Sequence, residues 1–127
     1  MSFLESPVYI LTILQTITTV AITVPALTPE QLPALDAWLR SILWDQKLPS
    51  RSEGSQKLEI HRLKAKLPMT NREVKIVQGV RDVFDILDAP KASEGDSLET
   101  QGKIVLIGRH IGDVPFEESF IDAINSS

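Results

Sequence analysis

The chain has 127 residues and no cysteine. That excludes disulfides, thiolate metal sites and cysteine nucleophiles, and it fits a reducing compartment, so the expected location is the cytoplasm. Aromatic side chains are scarce, with two Trp, one Tyr and four Phe. Phe84 is the only aromatic residue between Trp44 and Phe116, which leaves little with which a sheet could stack nucleobases. Positive charge is in deficit: 13 Lys and Arg against 17 Asp and Glu give a net charge of −4. A nucleic-acid binder replaces counterions with a basic face, so the balance argues against a nucleic-acid partner. Phosphate-handling strings are also missing. The lone Gly-Lys pair, Gly102-Lys103, is followed by Ile104 instead of Ser or Thr, and Ser97 stands where a phosphate loop needs its first Gly. No Asn-Lys-x-Asp and no Gly-x-Ser-x-Gly string occurs, so neither GTP hydrolysis nor serine-hydrolase chemistry is expected of these residues.

An uncharged stretch rich in Leu, Ile and Val runs from Val8 to Leu27. Its length would suffice to cross a bilayer. Its content argues otherwise: five threonines, Gln15 and Pro25 interrupt it, and Glu5 is the only charge before it where a signal peptide would carry Lys or Arg. Val20, Ile22 and Val24 alternate with Thr19, Ala21 and Thr23, the period of a half-buried strand. The first strand is therefore expected over Thr18–Val24. Residues 1–17 form an N-terminal extension, an extra strand or a disordered remnant, ahead of one domain at 18–127.

Thr28, Pro29 and Gln31 make a helix start, with Pro33 loosening its first turn. Leu32, Leu35, Trp38, Leu39, Ile42 and Leu43 then recur at helical spacing, so a helix is expected to end near Asp45. Residues Pro49–Gln56 read as a flexible connection. From Lys57 to Leu67 the apolar positions change register, with Leu58 and Ile60 in one phase and Leu63, Ala65 and Leu67 in the other. That shift predicts a bulge near His61 or Arg62. Pro68–Asn71 is a turn, and Glu73–Gln78 returns as a strand. Gly79 interrupts it and suggests a bulge or a close backbone approach, after which the pattern resumes to Leu87. Ala89–Gln101 is a polar loop. Lys103–Arg109, with its run Ile104-Val105-Leu106-Ile107, predicts a central strand covered on both faces. A last helix opens near Asp113, Val114 and Pro115. The reading is an α+β domain of two layers, a mainly antiparallel sheet with helices on one face, in the order β-α-β-β-β-α.

Candidate chemistry is sparse. His61 and His110 are the only histidines. Together with Glu59 or Asp113 they offer one route to a small stand-alone metal-binding or catalytic protein, although zinc wants three or four ligands. Arg62, Lys64 and Lys66 alternate on one strand face, either as an exposed face kept soluble or as a docking surface for an acidic partner. Lys75 and Arg81 are expected beside them on the paired strand.

Four strings in fixed order carry a further signal. They are Trp38-Leu39-Arg40-Ser41-Ile42-Leu43-Trp44, Leu58-Glu59-Ile60-His61-Arg62-Leu63-Lys64, Val77-Gln78-Gly79-Val80 and Ile104-Val105-Leu106-Ile107-Gly108-Arg109. Over roughly residues 18 to 125 the chain resembles the C-terminal domain of the CobW family of GTP-dependent metal chaperones. The matching positions are Trp44, Arg62, Lys64, Gln78, Gly79, Val80, Gly108 and Arg109. Ala65 departs from the family, which usually has Gly there. The family's GTPase domain and its Cys-x-Cys-Cys motif have no counterpart in these residues. The resemblance implies a non-catalytic accessory domain with no cofactor of its own, acting in zinc or metal homeostasis through contacts with a CobW-type GTPase domain or its client protein.

Overall fold

The computed structural model describes residues 17–49, 57–89 and 101–126. The expectations for most of the N-terminal extension, for the connection before Lys57 and for the polar loop before Gln101 fall outside them. Five strands form one antiparallel sheet: β1 (Ile17–Pro25), β2 (Glu59–Pro68), β3 (Val74–Val80), β4 (Val83–Ala89) and β5 (Gln101–Arg109), in the spatial order β1-β5-β2-β3-β4. Two helices, α1 (Leu32–Leu43) and α2 (Phe116–Asn125), lie on one side. The fold is α+β, as the residue pattern predicts.

The uncharged stretch ends in a strand, and no helix among the described residues is long and apolar enough to cross a membrane. After β1 a single 3-10 turn (Pro29–Gln31) precedes α1. The Thr28 amide donates to Gln31 Oε1 at 2.9 Å, and the Gln31 amide returns to the Thr28 carbonyl at 3.0 Å. Pro29 and Pro33 both sit where a helix start leaves amides without intrahelical partners, so neither costs a ladder bond. The apolar stripe of α1 buries Leu35, Trp38, Leu39, Ile42 and Leu43 against the sheet. Trp38 is the hub of the helical layer. Its ring meets Phe120 edge-on at 5.0 Å and Phe116 at 6.4 Å, and its indole N–H donates to Ser119 Oγ at 3.1 Å. The T-shaped geometry brings ring edges to ring faces, and the hydroxyl satisfies the one polar atom the indole brings into the core.

The register change in β2 is resolved by a bulge between Ile60 and Arg62. His61 is the extra residue. Because of it, Leu58 and Ile60 on one side of the bulge and Leu63, Ala65 and Leu67 on the other are all buried. Gly108 lies opposite Ile60, and a Cβ there would fall 2.0 Å from the Glu59 carbonyl oxygen. A side chain at that position is incompatible with the bulge.

The segment after Gly79 is a second hairpin, so the segment read as one interrupted strand is two strands, β3 and β4. Val80 pairs Val83 across a two-residue loop, Arg81-Asp82. Gly79 makes no bulge: its pairing with Leu63 and Phe84 is in register, and an added Cβ would meet only ordinary contacts at 3.5–3.6 Å. β5 is central, between β1 and β2, as its apolar run predicts. Among the described residues it is covered on one face only. Ile104 and Leu106 are buried, whereas Val105 and Ile107 are half-exposed on the side away from the helices.

Candidate functional site

The face of the sheet opposite the helices is built from cross-strand rows, because residues paired in an antiparallel ladder share a face. One row reads Thr19, Ile107, Arg62, Val80, Val83. The next reads Ala21, Val105, Lys64, Gln78, Asp85, and the third Thr23, Lys103, Lys66, Ile76, Leu87. Cations thus run down the middle on β2, flanked by apolar residues of β5 on one side and of β3 and β4 on the other. Among the described residues, Arg62, Lys64 and Lys103 have no ion-pair partner, and the face encloses a shallow trough of about 630 Å³. The large apolar side chains left most open to solvent concentrate here: Val83 is 66% exposed, Val80 57%, Leu87 48% and Ile17 43%. Isolated exposed apolar residues are ordinary; Val80, Val83 and Leu87 on the adjacent strands β3 and β4 form a larger apolar patch beside the cation row, with Ile17 apart on the opposite edge strand.

At one end of this face the bulge gathers charge. His61 Nε2 donates to Glu59 Oε2 at 2.6 Å, and Arg109 Nη1 lies 3.9 Å from the same oxygen. The His61 hydrogen bond holds the Glu59 carboxyl below its ordinary value, with Arg109 and Arg81 acting in the same direction and partial burial opposing them. The Arg81 amide donates to the His61 carbonyl at 3.0 Å, tying the β3–β4 loop to the bulge. His110 is exposed with φ of 61° and follows Arg109, the residue paired with Glu59. No group of three His, Asp or Glu that could hold a metal occurs among the described residues. His61 sits in the bulge beside Gly108 and Ile107, and His110 lies beyond the last ladder pair, Glu59–Arg109.

A third feature lies at the end of α1. Trp44 is 52% exposed, leans on Phe84 at 6.0 Å, receives Arg40 over its ring at 5.1 Å and donates its indole N–H to the Asp82 carbonyl at 2.7 Å. The ring braces the β3–β4 loop against the helix and still offers one face to solvent.

The positions singled out from sequence therefore separate. Arg62, Lys64, Gln78 and Val80 converge on the open face. Arg109 belongs to the bulge corner, Trp44 to the rim, and Gly79 and Gly108 to the packing beneath. Lys75 does not join the basic row. It is opposite Leu67 on the helical side and forms a short ion pair with Asp88, which raises its pKa through the hydrogen bond. Sequence reasoning missed Lys103, Val105, Ile107, Val83 and Leu87 as parts of the same surface. Their signal was alternation, masked in β5 by the continuous apolar run.

No family model matches the chain. Among solved structures the fold is similar to Zn(II)-bound YjiA GTPase from E. coli, with a TM-score of 0.57, 15% identity, 87% of this chain covered and 29% of that one. A Zn(II)-bound triple mutant of the same GTPase matches with the same values. The chain thus spans less than a third of the length of the GTPase it matches.

Proposed function

We propose that this chain is a non-catalytic interaction domain of the kind found at the C-terminal end of CobW-type metallochaperone GTPases, and that it serves metal homeostasis by docking onto a GTPase domain or its client through the open face of the sheet. The observation that carries the reading is the set of exposed apolar side chains on the open face, Val80, Val83 and Leu87 of β3 and β4 on one side of the Arg62–Lys64–Lys66 row and Ile17 on the opposite edge strand. Burying a Val, Leu or Ile side chain fully is worth about 1.5–3 kcal/mol, and these are roughly half buried already, so the four supply about 3–6 kcal/mol on docking. That is enough to matter and too little to bind alone, which fits a surface needing electrostatic complement. The fold likeness to a part of YjiA, a GTPase of the CobW family, supports the same reading, as does the absence of a phosphate loop from the sequence.

The test mixes the purified full chain with a CobW-type GTPase domain and measures association calorimetrically, with GTP turnover followed in parallel. Saturable binding is expected, lost in the double variant Val80→Asp, Val83→Asp, whose side chains point away from the core and whose thermal melting is compared with wild type because the two positions pair across the hairpin. GTP turnover by this chain alone, or unchanged binding by the double variant, would overturn the reading.

A further inference from the structure

The arrangement of the open face specifies its occupant more narrowly. We infer that the sheet receives an acidic amphipathic helix carried by the partner protein, lying along β2 with a line of carboxylates over the cations and apolar residues on both flanks. This rests on the docking reading above and adds the chemistry of the bound element.

Three geometric facts lead there. Arg62, Lys64 and Lys66 occupy alternate positions of one strand, so their stems are spaced by about 6.7 Å. Carboxylates at i, i+4 and i+8 of a helix are spaced by about 6 Å, a match well within the reach of Lys and Arg side chains. The width matches as well. A helix about 10 Å across covers β2 and half of each neighbour, since strands lie about 4.8 Å apart. Its flanks then rest on Val105 and Ile107 of β5 and on Ile76 and Val80 of β3. Finally, the charge is segregated. The three central rows hold Arg62, Lys64 and Lys103 without an ion-pair partner among the described residues, against one anion, Asp85, on a chain whose net charge is −4. A docked helix would turn the two-layer domain into three layers and supply the second cover that the β5 sequence pattern calls for.

A single-stranded nucleic acid fits less well. The three rows contain no aromatic residue for base stacking, and the apolar flanks would face phosphates. A second copy of this chain would bring like charges together along the central rows.

The probe is a fluorescein-labelled synthetic helix of about 18 residues with Glu at i, i+4 and i+8 within a Leu-lined face, titrated into the full chain by anisotropy. Controls are its scrambled sequence, a version with Lys in place of Glu, and a single-stranded RNA of similar length. Saturable binding is expected, weakening with salt and falling at least tenfold in the double variant Arg62→Glu, Lys64→Glu, which should bind the Lys version instead. Both variants are checked for wild-type thermal melting. Equal affinity for the scramble, tighter binding of the RNA, or concentration-dependent self-association in sedimentation that masks the face would each overturn the inference. If the GTPase domain binds and the Val80→Asp, Val83→Asp variant abolishes that binding while the acidic helix fails, the occupant is wrong and the docking surface stands. If neither binds, both fall.

Discussion

Gly79 and Gly108 both belong to the strings that set the chain apart, and alanine at the two positions should move stability in opposite directions. At Gly108 the new Cβ would sit 2.0 Å from the Glu59 carbonyl oxygen and 2.9 Å from Ile60 Cα. Both obstacles are backbone, so no rotamer change relieves them. An ordinary contact of about 3.4 Å or more requires β5 and β2 to separate by over an ångström beside the bulge, beyond what a hydrogen bond tolerates. Losing one or two ladder bonds at about 1 kcal/mol each, with overpacking of about 1–3 kcal/mol, gives a destabilisation of about 2–5 kcal/mol for Gly108→Ala. At Gly79 the new Cβ would meet Phe84 Cβ at 3.5 Å and Leu43 Cδ1 and Leu63 Cβ at 3.6 Å. These are favourable contacts, and replacing glycine inside a strand removes backbone freedom from the unfolded chain, so Gly79→Ala should stabilise by about 0.5–1 kcal/mol. Urea unfolding followed by Trp38 fluorescence and circular dichroism measures both, with midpoints compared at equal slopes. Equal and small effects at the two positions would refute the assigned bulge geometry.

Other outcomes follow from the same contacts. Ser119→Ala leaves the buried Trp38 indole N–H without its acceptor, and equilibrium unfolding should show a loss of about 1–3 kcal/mol, against less than 0.5 kcal/mol for the exposed Ser126→Ala. Glu59 titrates below its ordinary value when folded, so its contribution to stability is present above pH 4.5 and is lost as pH falls through the lower folded value; Glu59→Gln should flatten that acid limb in urea titrations run across the carboxylate range. Arg81 holds φ of 59° at the first position of a two-residue hairpin loop, a conformation glycine adopts without strain, so Arg81→Gly should be neutral or stabilising by up to about 1 kcal/mol in thermal unfolding.

Much of the fold was legible in the residues because local signals agreed with one another. The phase change between Ile60 and Leu63 marked the bulge, and the Thr28-Pro29-x-Gln31 start with its Leu and Trp stripe marked α1. The β3–β4 hairpin was hidden because its loop, Arg81-Asp82, lacks the Asn-Gly or leading Gly that two-residue hairpins usually carry. The glycine that drew notice, Gly79, lies two residues earlier and bears no special backbone role. The open face was half visible. Alternation exposed Arg62, Lys64 and Lys66, but their apolar neighbours come from strands distant in sequence, and only the β5-β2-β3-β4 order brings Ile107, Val80 and Val83 into one row. Lys75 was misplaced for the same reason. Its face is set by its pairing with Leu67, one step out of phase with the Arg62–Lys66 row.

Methyl NMR of the full chain, titrated with a CobW-type GTPase domain, bears most directly on the open sheet face as the working surface. Shifts are expected in the methyl signals of Val80, Val83, Leu87, Val105 and Ile107, with those of Leu35, Leu39 and Ile124 in the helical layer unmoved. Shifts confined to the helical layer, or none on the open face at saturating partner, would contradict it.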